Sequence, residues 1–262
     1  METRTVRGIE LAFDKAGEGD LIILIHGVGA DRTAWKYQLN AFADEGYTVV
    51  AVDLRGSGDS QSRQSDGNVV PINRTEFAED VHALIGELGF TKAHWIGNSL
   101  GGIVIQQAIA LGFPSVDKIV LSNSFACYPD SVLHLARASS ALREKSLQEF
   151  ARIRIPQVLK PDIDKETLEE AIYAMARKDP EAYLASWAAT WSADFRTLLP
   201  TIDHPTLVVS STLDTITPVA LSKELAKNIP RAKHITIKSA GHISNLDQPN
   251  DFNQTVLSFL AA

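Results

Sequence analysis

Three residues far apart in this sequence have the types needed to make a hydroxyl attack a carbonyl: Ser99, Asp214 and His242. A serine hydroxyl is a weak nucleophile at neutral pH unless a base takes its proton during attack. An imidazole can be that base, and a carboxylate can hold its tautomer and stabilise the imidazolium that forms. Ser99 lies in Ile96-Gly97-Asn98-Ser99-Leu100-Gly101-Gly102, which fits G-x-S-x-G. That pattern sets a serine on a sharp strand-to-helix turn with its hydroxyl exposed. Glycines at 97 and 101 remove side chains where strand and helix crowd together.

His242 follows a strand-like stretch at 234–238, and Ala240-Gly241 supplies the turn that aims it. Asp214 comes just past the apolar run at 206–211, where a carboxylate can reach the imidazole; the plainer role is to cap the helix starting near Pro218. The end of the preceding strand reads Ser122-Asn123-Ser124 and offers no rival carboxylate. Asp247 and Asp251 follow the histidine closely and read as a loop residue and a helix cap. Of the other histidines, 82, 94, 134, 204 and 234 have no matching partner and read as surface or packing residues.

Attack on a carbonyl also needs two donors aimed at the oxygen that becomes negative. The backbone N–H of Leu100 stands at a helix start, where donors are unpaired and the dipole favours an anion. The second donor is the N–H of Val28, between Gly27 and Gly29, in the loop after the apolar run 21–25.

These groups need a scaffold, and the chain alternates strand-like and helix-like segments, the pattern of a mostly parallel sheet with helices on both faces. Strands are expected at 8–16, 21–25, 48–52, 93–96, 118–122, 206–211 and 234–238. Helices are expected at 33–45, from Asn73 or Thr75 to 88, and at 103–111, 218–228 and 250–260. Between 125 and 198 no strand is evident, only helix-like stretches at 130–142, 146–153, 165–177 and 180–191. The expected organisation is one core, 1–124 and 199–262, with a helical cap inserted at 125–198. Within that cap Trp187 and Trp191 stand four apart and form one aromatic ridge, either roofing the pocket or packing the cap. The arginines at 137, 143, 152, 154 and 177 read as solvated surface, any one of them able to take a substrate carboxylate.

With 262 residues, 45% of them hydrophobic and a net charge of −7, the chain has the makeup of a soluble globular protein. The acidic balance gives no reason to expect nucleic acid or an anionic membrane as partner, and the expected partner is a small-molecule substrate. Cys127 is the only cysteine, which excludes an internal disulfide and a cysteine-based zinc cluster; no metal or cofactor is expected. Met1 to Arg7 lacks the apolar core of a signal peptide, so a reducing cytoplasm is the expected location.

Taken together, His26-Gly27-x-Gly29, Asp53-x-Arg55-Gly56-x-Gly58-x-Ser60, Gly97-x-Ser99-x-Gly101-Gly102, Leu213-Asp214 with Pro218, and Gly241-His242 resemble the α/β-hydrolase superfamily over nearly the whole chain. The order Ser, Asp, His is also the order of that superfamily. The resemblance implies an α/β-hydrolase fold, a Ser-His-Asp triad working through an acyl-enzyme, and structural roles for His26, Asp53 and Arg55.

Within the superfamily the chain is most similar to 3-oxoadipate enol-lactonases, which implies a lactone or ester substrate in the degradation of aromatic compounds. The features are Arg32-Thr33-x-Trp35 with Gln38-Leu39, Asp179-Pro180-x-x-Tyr183, and the stretch from Gly241 to Pro249. Meta-cleavage product hydrolases, which cut carbon–carbon bonds, share Gly97-Asn98-Ser99 but usually carry Trp after the histidine, where this chain has Ile243. They are the alternative, followed by general carboxylesterases. A different class, a hydrolase-fold ligand receptor, also keeps a triad; turnover of p-nitrophenyl acetate separates it from an enzyme.

Overall fold

The computed structural model describes residues 1–262, apart from the side chains of residues 137–139 and 141. Arg137, one of the five arginines singled out above, therefore has a side chain outside the described residues. The strands are β1 (Glu2–Val6), β2 (Ile9–Ala16), β3 (Asp20–Ile25), β4 (Tyr47–Val52), β5 (Ala93–Asn98), β6 (Val116–Ser122), β7 (Thr206–Ser211) and β8 (Ala232–Ile237). Among the described residues they form one sheet in the order β1-β2-β4-β3-β5-β6-β7-β8. β1, β2 and β4 pair antiparallel, and every pair from β4 through β8 is parallel.

β1 is absent from the sequence reading, which has a single opening strand. Its residues are mostly polar and mostly exposed, as on an unburied edge, so no alternation marks it. What makes it a strand is the turn at Arg7-Gly8, both at positive φ, which folds it back onto β2.

The helices are α1 (Lys36–Ala43), α2 (Arg74–Glu87), α3 (Leu100–Ala110), α4 (Ser131–Glu144), α5 (Leu147–Arg154), α6 (Lys165–Ala176), α7 (Pro180–Trp191), α8 (Val219–Asn228), α9 (Ser244–Asp247) and α10 (Pro249–Leu260). Their starts follow local chemistry. The Asn73 side chain accepts the Glu76 N–H, Asp179 accepts those of Glu181 and Ala182, and Ser146 with Glu149 forms a capping box.

Successive residues of the central strands feed opposite layers, because side chains alternate across a strand. Ile23, Ile25, Trp95 and Leu121 join the core under α2, α3 and the helices between β6 and β7. Ile22, Leu24, Ile96 and Val120 join the other core, with Phe42 of α1 and Phe252 of α10. That is why the central strands read as unbroken apolar runs rather than as alternating ones.

Chain order places β4 on one side of β3 and β5 on the other. Where strand order reverses in this way, the loops leaving the two strands diverge and open a crevice beyond their carboxyl ends. Gly27-Val28-Gly29 leaves β3 and Ser99 leaves β5, so the two sequence motifs meet at that crevice. Between β6 and β7 the chain runs through α4, α5, α6 and α7 with no strand among the described residues. Where it leaves and returns, Cys127 and Asp194 form an isolated antiparallel bridge.

Candidate active site

Ser99 has φ 53° and ψ −111°, a conformation that disfavours any residue with a Cβ and costs about 1–3 kcal/mol. Neighbouring bonds hold it there. Its N–H donates to Ser122 O at 2.9 Å, and its carbonyl accepts from Ser124 Oγ at 2.9 Å and Gly102 N at 3.0 Å. A Cβ at Gly101 would lie 2.2 Å from Ile25 O, and one at Gly97 would lie 2.3 Å from Gly101 C, so only glycine lets α3 pack this tightly on β3 and β5.

Asp214 and His242 meet although 28 residues separate them. Asp214 Oδ2 accepts from His242 Nδ1 at 2.9 Å, from Thr217 Oγ1 at 2.6 Å and from Asn123 Nδ2 at 2.8 Å. Oδ1 accepts the N–H groups of Ile216 and Thr217 at 2.8 and 2.9 Å. The carboxylate thus also ties down the turn before α8, although it does not cap that helix: Pro218 holds the N-cap position, with no side-chain cap bond. Burial pushes its pKa up, but His242 and the Thr217 hydrogen bonds outweigh that and hold it at about 2. With the Nδ1 hydrogen committed to Asp214, Nε2 of a neutral imidazole is left as an acceptor.

The backbone of His242 is fixed from two other directions. Its N–H donates to Val158 O at 2.7 Å, and its carbonyl accepts from Asn98 Nδ2 at 3.0 Å. Asn123 and Thr217 escaped the sequence reading as partners of the acid. The only signal for Asn123 is its place at the end of β6, where it adopts φ 47° and turns toward β7.

Ser99 and His242 line one cavity of about 50 Å³ with Val28, Arg154, Trp187 and Trp191. A side chain at Gly27 would come within 3.3 Å of Ser99 Cβ, so the loop after β3 lies directly against the serine. Among the described residues, the N–H groups of Val28 and Leu100 donate no hydrogen bond. Both tryptophans line the cavity and pack on each other, with centroids 5.3 Å apart. Trp187 Nε1 donates to His134 O at 2.8 Å, whereas the buried Nε1 of Trp191 has no partner among the described residues. None of His82, His94, His134, His204 and His234 lines the cavity. Among the described residues no three or more His, Cys, Asp or Glu side chains converge as metal ligands, and no helix is long and apolar enough to cross a membrane.

The arginines divide in a way the sequence does not reveal. Arg143 and Arg152 are exposed, as expected of solvated surface. Arg177 instead bonds Asp31 and Asp59, both at 2.7 Å, linking the end of α6 to the loops after β3 and β4. Arg154 lines the cavity and takes part in no ion pair within 4 Å among the described residues. Burial pushes its guanidinium below its ordinary pKa. Among the described residues it is the one of these arginines that lines the cavity, and it does so without a carboxylate partner.

The supporting motifs are structural. His26 Nδ1 donates to Gly27 O at 2.8 Å and Nε2 accepts the Leu54 N–H at 3.1 Å, so the neutral ring bridges the loops after β3 and β4. Burial, with Lys178 nearby, drives its pKa down to about 3. Asp53 holds Arg32 and the Asp59 N–H. Arg55 grips buried Asp80 with two bonds of 2.6 Å. Arg55→Ala should therefore cost about 2 kcal/mol in urea unfolding, by removing both bonds from a buried carboxylate and leaving Arg7, at 2.9 Å, as its remaining charged partner. Activity per folded molecule should stay within about twofold of wild type, because the pair stands apart from the cavity; a loss of turnover at unchanged stability would reverse that assignment.

Two expectations after the histidine need correction. Asp251 is not a cap: Gln248 holds that position and Asp251 stands in the first turn of α10. Asp247 is not a loop residue. It ends the short helix α9 and is buried, since the chain after His242 turns inward instead of running along the surface.

Comparison with known proteins agrees with this geometry. Residues 22–255 match the model of the alpha/beta hydrolase family. The 3-oxoadipate enol-lactonase 2 of Acinetobacter baylyi is 28% identical, with 97% of this chain and 94% of that protein covered. A 2-hydroxy-6-oxononadienedioate/2-hydroxy-6-oxononatrienedioate hydrolase of Pseudomonas is 26% identical over 94% of this chain and 90% of its own length. Among solved structures, the enol-lactonase from Burkholderia xenovorans superposes with a TM-score of 0.90 at 27% identity, covering all of both chains. With the elbow, the strand order and the Asp–His pair all present in one chain, this protein belongs to the alpha/beta hydrolase family.

Proposed function

We propose that this protein is a serine hydrolase acting on a small lactone or enol ester that carries a carboxylate. The observation that carries the reaction is the Asp214–His242 pair in the wall of the cavity that also holds Ser99. In this reading His242 Nε2 takes the proton of Ser99 Oγ as the oxygen attacks the substrate carbonyl. The N–H groups of Val28 and Leu100 receive the negative oxygen, a contribution of roughly 3–4 kcal/mol each. Collapse to the acyl-enzyme expels the enol oxygen, and His242 returns the proton to it. Water, activated by the same imidazole, then frees the acid. Residues 1–124 and 199–262 supply this machinery, and residues 125–198 act as the lid that selects the substrate.

Arg154 supports the carboxylate. A half-buried guanidinium without a counterion is costly, and a substrate carboxylate supplies the missing partner through charge-assisted hydrogen bonds. The likeness to an enol-lactonase and to a dienedioate hydrolase points the same way. Carbon–carbon cleavage is disfavoured because ketonising a dienol needs a proton delivered at a remote carbon. The residue after the base is Ile243, which lines the cavity and has no proton to give.

The test compares kcat/KM on a muconolactone-derived enol-lactone, a ring-fission dienone and a neutral short ester. The enol-lactone should lead. A tenfold preference for the dienone would move the assignment to carbon–carbon hydrolysis, and negligible turnover of every substrate with Ser99 still labelled by a fluorophosphonate would indicate a receptor. Arg154→Met should raise KM for the carboxylate-bearing substrate about 10- to 100-fold, the loss of one charge-assisted contact, and leave the neutral ester nearly unchanged. An equal loss on both substrates would remove Arg154 from substrate recognition.

A further inference from the structure

Asp247 is the least explained ionisable group near the site. It is buried to 1% exposure at the end of α9, five residues after His242. Its Oδ2 accepts the N–H of Gly241 at 2.6 Å and the N–H of Lys160 at 3.0 Å. Its Oδ1 is buried with no partner among the described residues. The Lys160 contact is to the backbone, and no salt bridge neutralises Asp247 among the described residues. An acid in such surroundings resists ionisation, and burial raises its pKa to about 6. Linkage then has a definite sign: between about pH 4 and pH 6 the folded chain keeps a proton that the unfolded chain has lost. Ionised Asp247 therefore weakens the fold at neutral pH.

A group that costs stability when charged needs another reason for its place, and the geometry supplies one. Gly241 directly precedes His242, and the segment 158–160 crosses over both residues. His242 N–H donates to Val158 O at 2.7 Å, and a Cβ on Gly241 would lie 2.8 Å from that same carbonyl. Asp247 thus clamps the histidine loop and the stretch after α5 with one oxygen. We infer that Asp247 is a positioning residue, whose charge tightens the loop carrying His242 against residues 158–160 and so keeps the imidazole on line with Ser99. This inference rests on His242 being the base.

The mechanism predicts a particular pH signature. Bonds to a charged acceptor are about twice as strong as bonds to a neutral one. The charged groups facing Asp247 from the crossing segment are Lys160, which favours its ionisation, and Asp162, which opposes it. On its own stretch stand His242 and Asp251. The elements packed against α9 carry Arg32 and Lys36, already engaged with Asp53 and Glu170. As pH falls through about 6, Asp247 takes up a proton and the clamp weakens. Asp247→Asn keeps the shape and one acceptor oxygen but never has the charge, so it copies the protonated state at every pH.

The experiment follows the rate at which a fluorophosphonate labels Ser99 in wild type and Asp247→Asn between pH 5 and pH 8.5. The variant should label about tenfold more slowly at pH 8, and the ratio of the two rates should close toward one below pH 6. Its Tm at pH 7 should equal or exceed that of wild type. A ratio that stays constant with pH, or equal rates throughout, overturns the inference and leaves Ser99 and His242 in their roles. Failure of the wild type to label at Ser99 overturns the proposed mechanism and, with it, this inference. Asp247→Ala, which strands both N–H groups, should label slowly at all pH values; wild-type rates in that variant would also overturn it.

Discussion

Ser99→Ala should fold as the wild type does and lose hydrolysis by at least about 10⁴-fold, leaving only what the oxyanion donors and substrate binding provide. The large effect follows from the absence of any second nucleophile in the proposed mechanism. The small effect on folding follows from the elbow's geometry, since its hydrogen bonds run through the Ser99 backbone and survive the change. Ser99→Gly sharpens the test. Glycine accepts φ 53° without strain, so that variant should be as inactive as the alanine one and more stable by about 1 kcal/mol. Circular dichroism melts and turnover of the preferred ester measure both. Near-wild-type turnover in either variant would end the serine mechanism.

Asp214→Asn should cost about 10⁴-fold in kcat, with KM little changed. The replacement amide presents a donor or a neutral acceptor to His242 Nδ1, so both the tautomer and the charge partner of the imidazolium are lost. The loss should persist at every pH at which the protein is folded. A variant that keeps half its activity would mean that another carboxylate serves as the acid. The same residue makes a stability prediction. Its carboxyl is held at about 2, below the ordinary value, so its contribution is present above pH 4 and disappears as pH falls through about 2. Wild type should therefore lose about 2 kcal/mol across that window that Asp214→Asn does not lose, measured by urea midpoints at pH 5 and pH 2.5.

The acid limb of kcat/KM carries a further consequence. The Asp247 clamp adds an ionisation near pH 6 to that limb. In sequence Asp247 reads as a polar loop residue, because the burial that sets its ionisation comes from segments distant in the chain.

Much of this protein was legible in its residues. Leu21 to Ile25 and Thr206 to Ser211 announce buried strands because central parallel strands are apolar on both faces. G-x-S-x-G with its glycines announces the elbow because no other residue lets α3 approach β3 and β5 so closely. The order Ser, Asp, His is written in residue type, and the helix start at Asn73 is a local fact of residue type and spacing. Long-range contacts were not written there. β1 is polar and is a strand only because a turn at Arg7-Gly8 lays it on β2. Arg152, Arg154 and Arg177 look alike in the sequence, yet one is exposed, one faces the cavity and one is spent on Asp31 and Asp59. Asn123 and Asp247 bond to groups that the chain brings to them from 91 and 87 residues away. Residue type sets what a side chain is able to do, whereas its counterion, burial and aim come from neighbours distant in sequence, and only the tertiary fold supplies those.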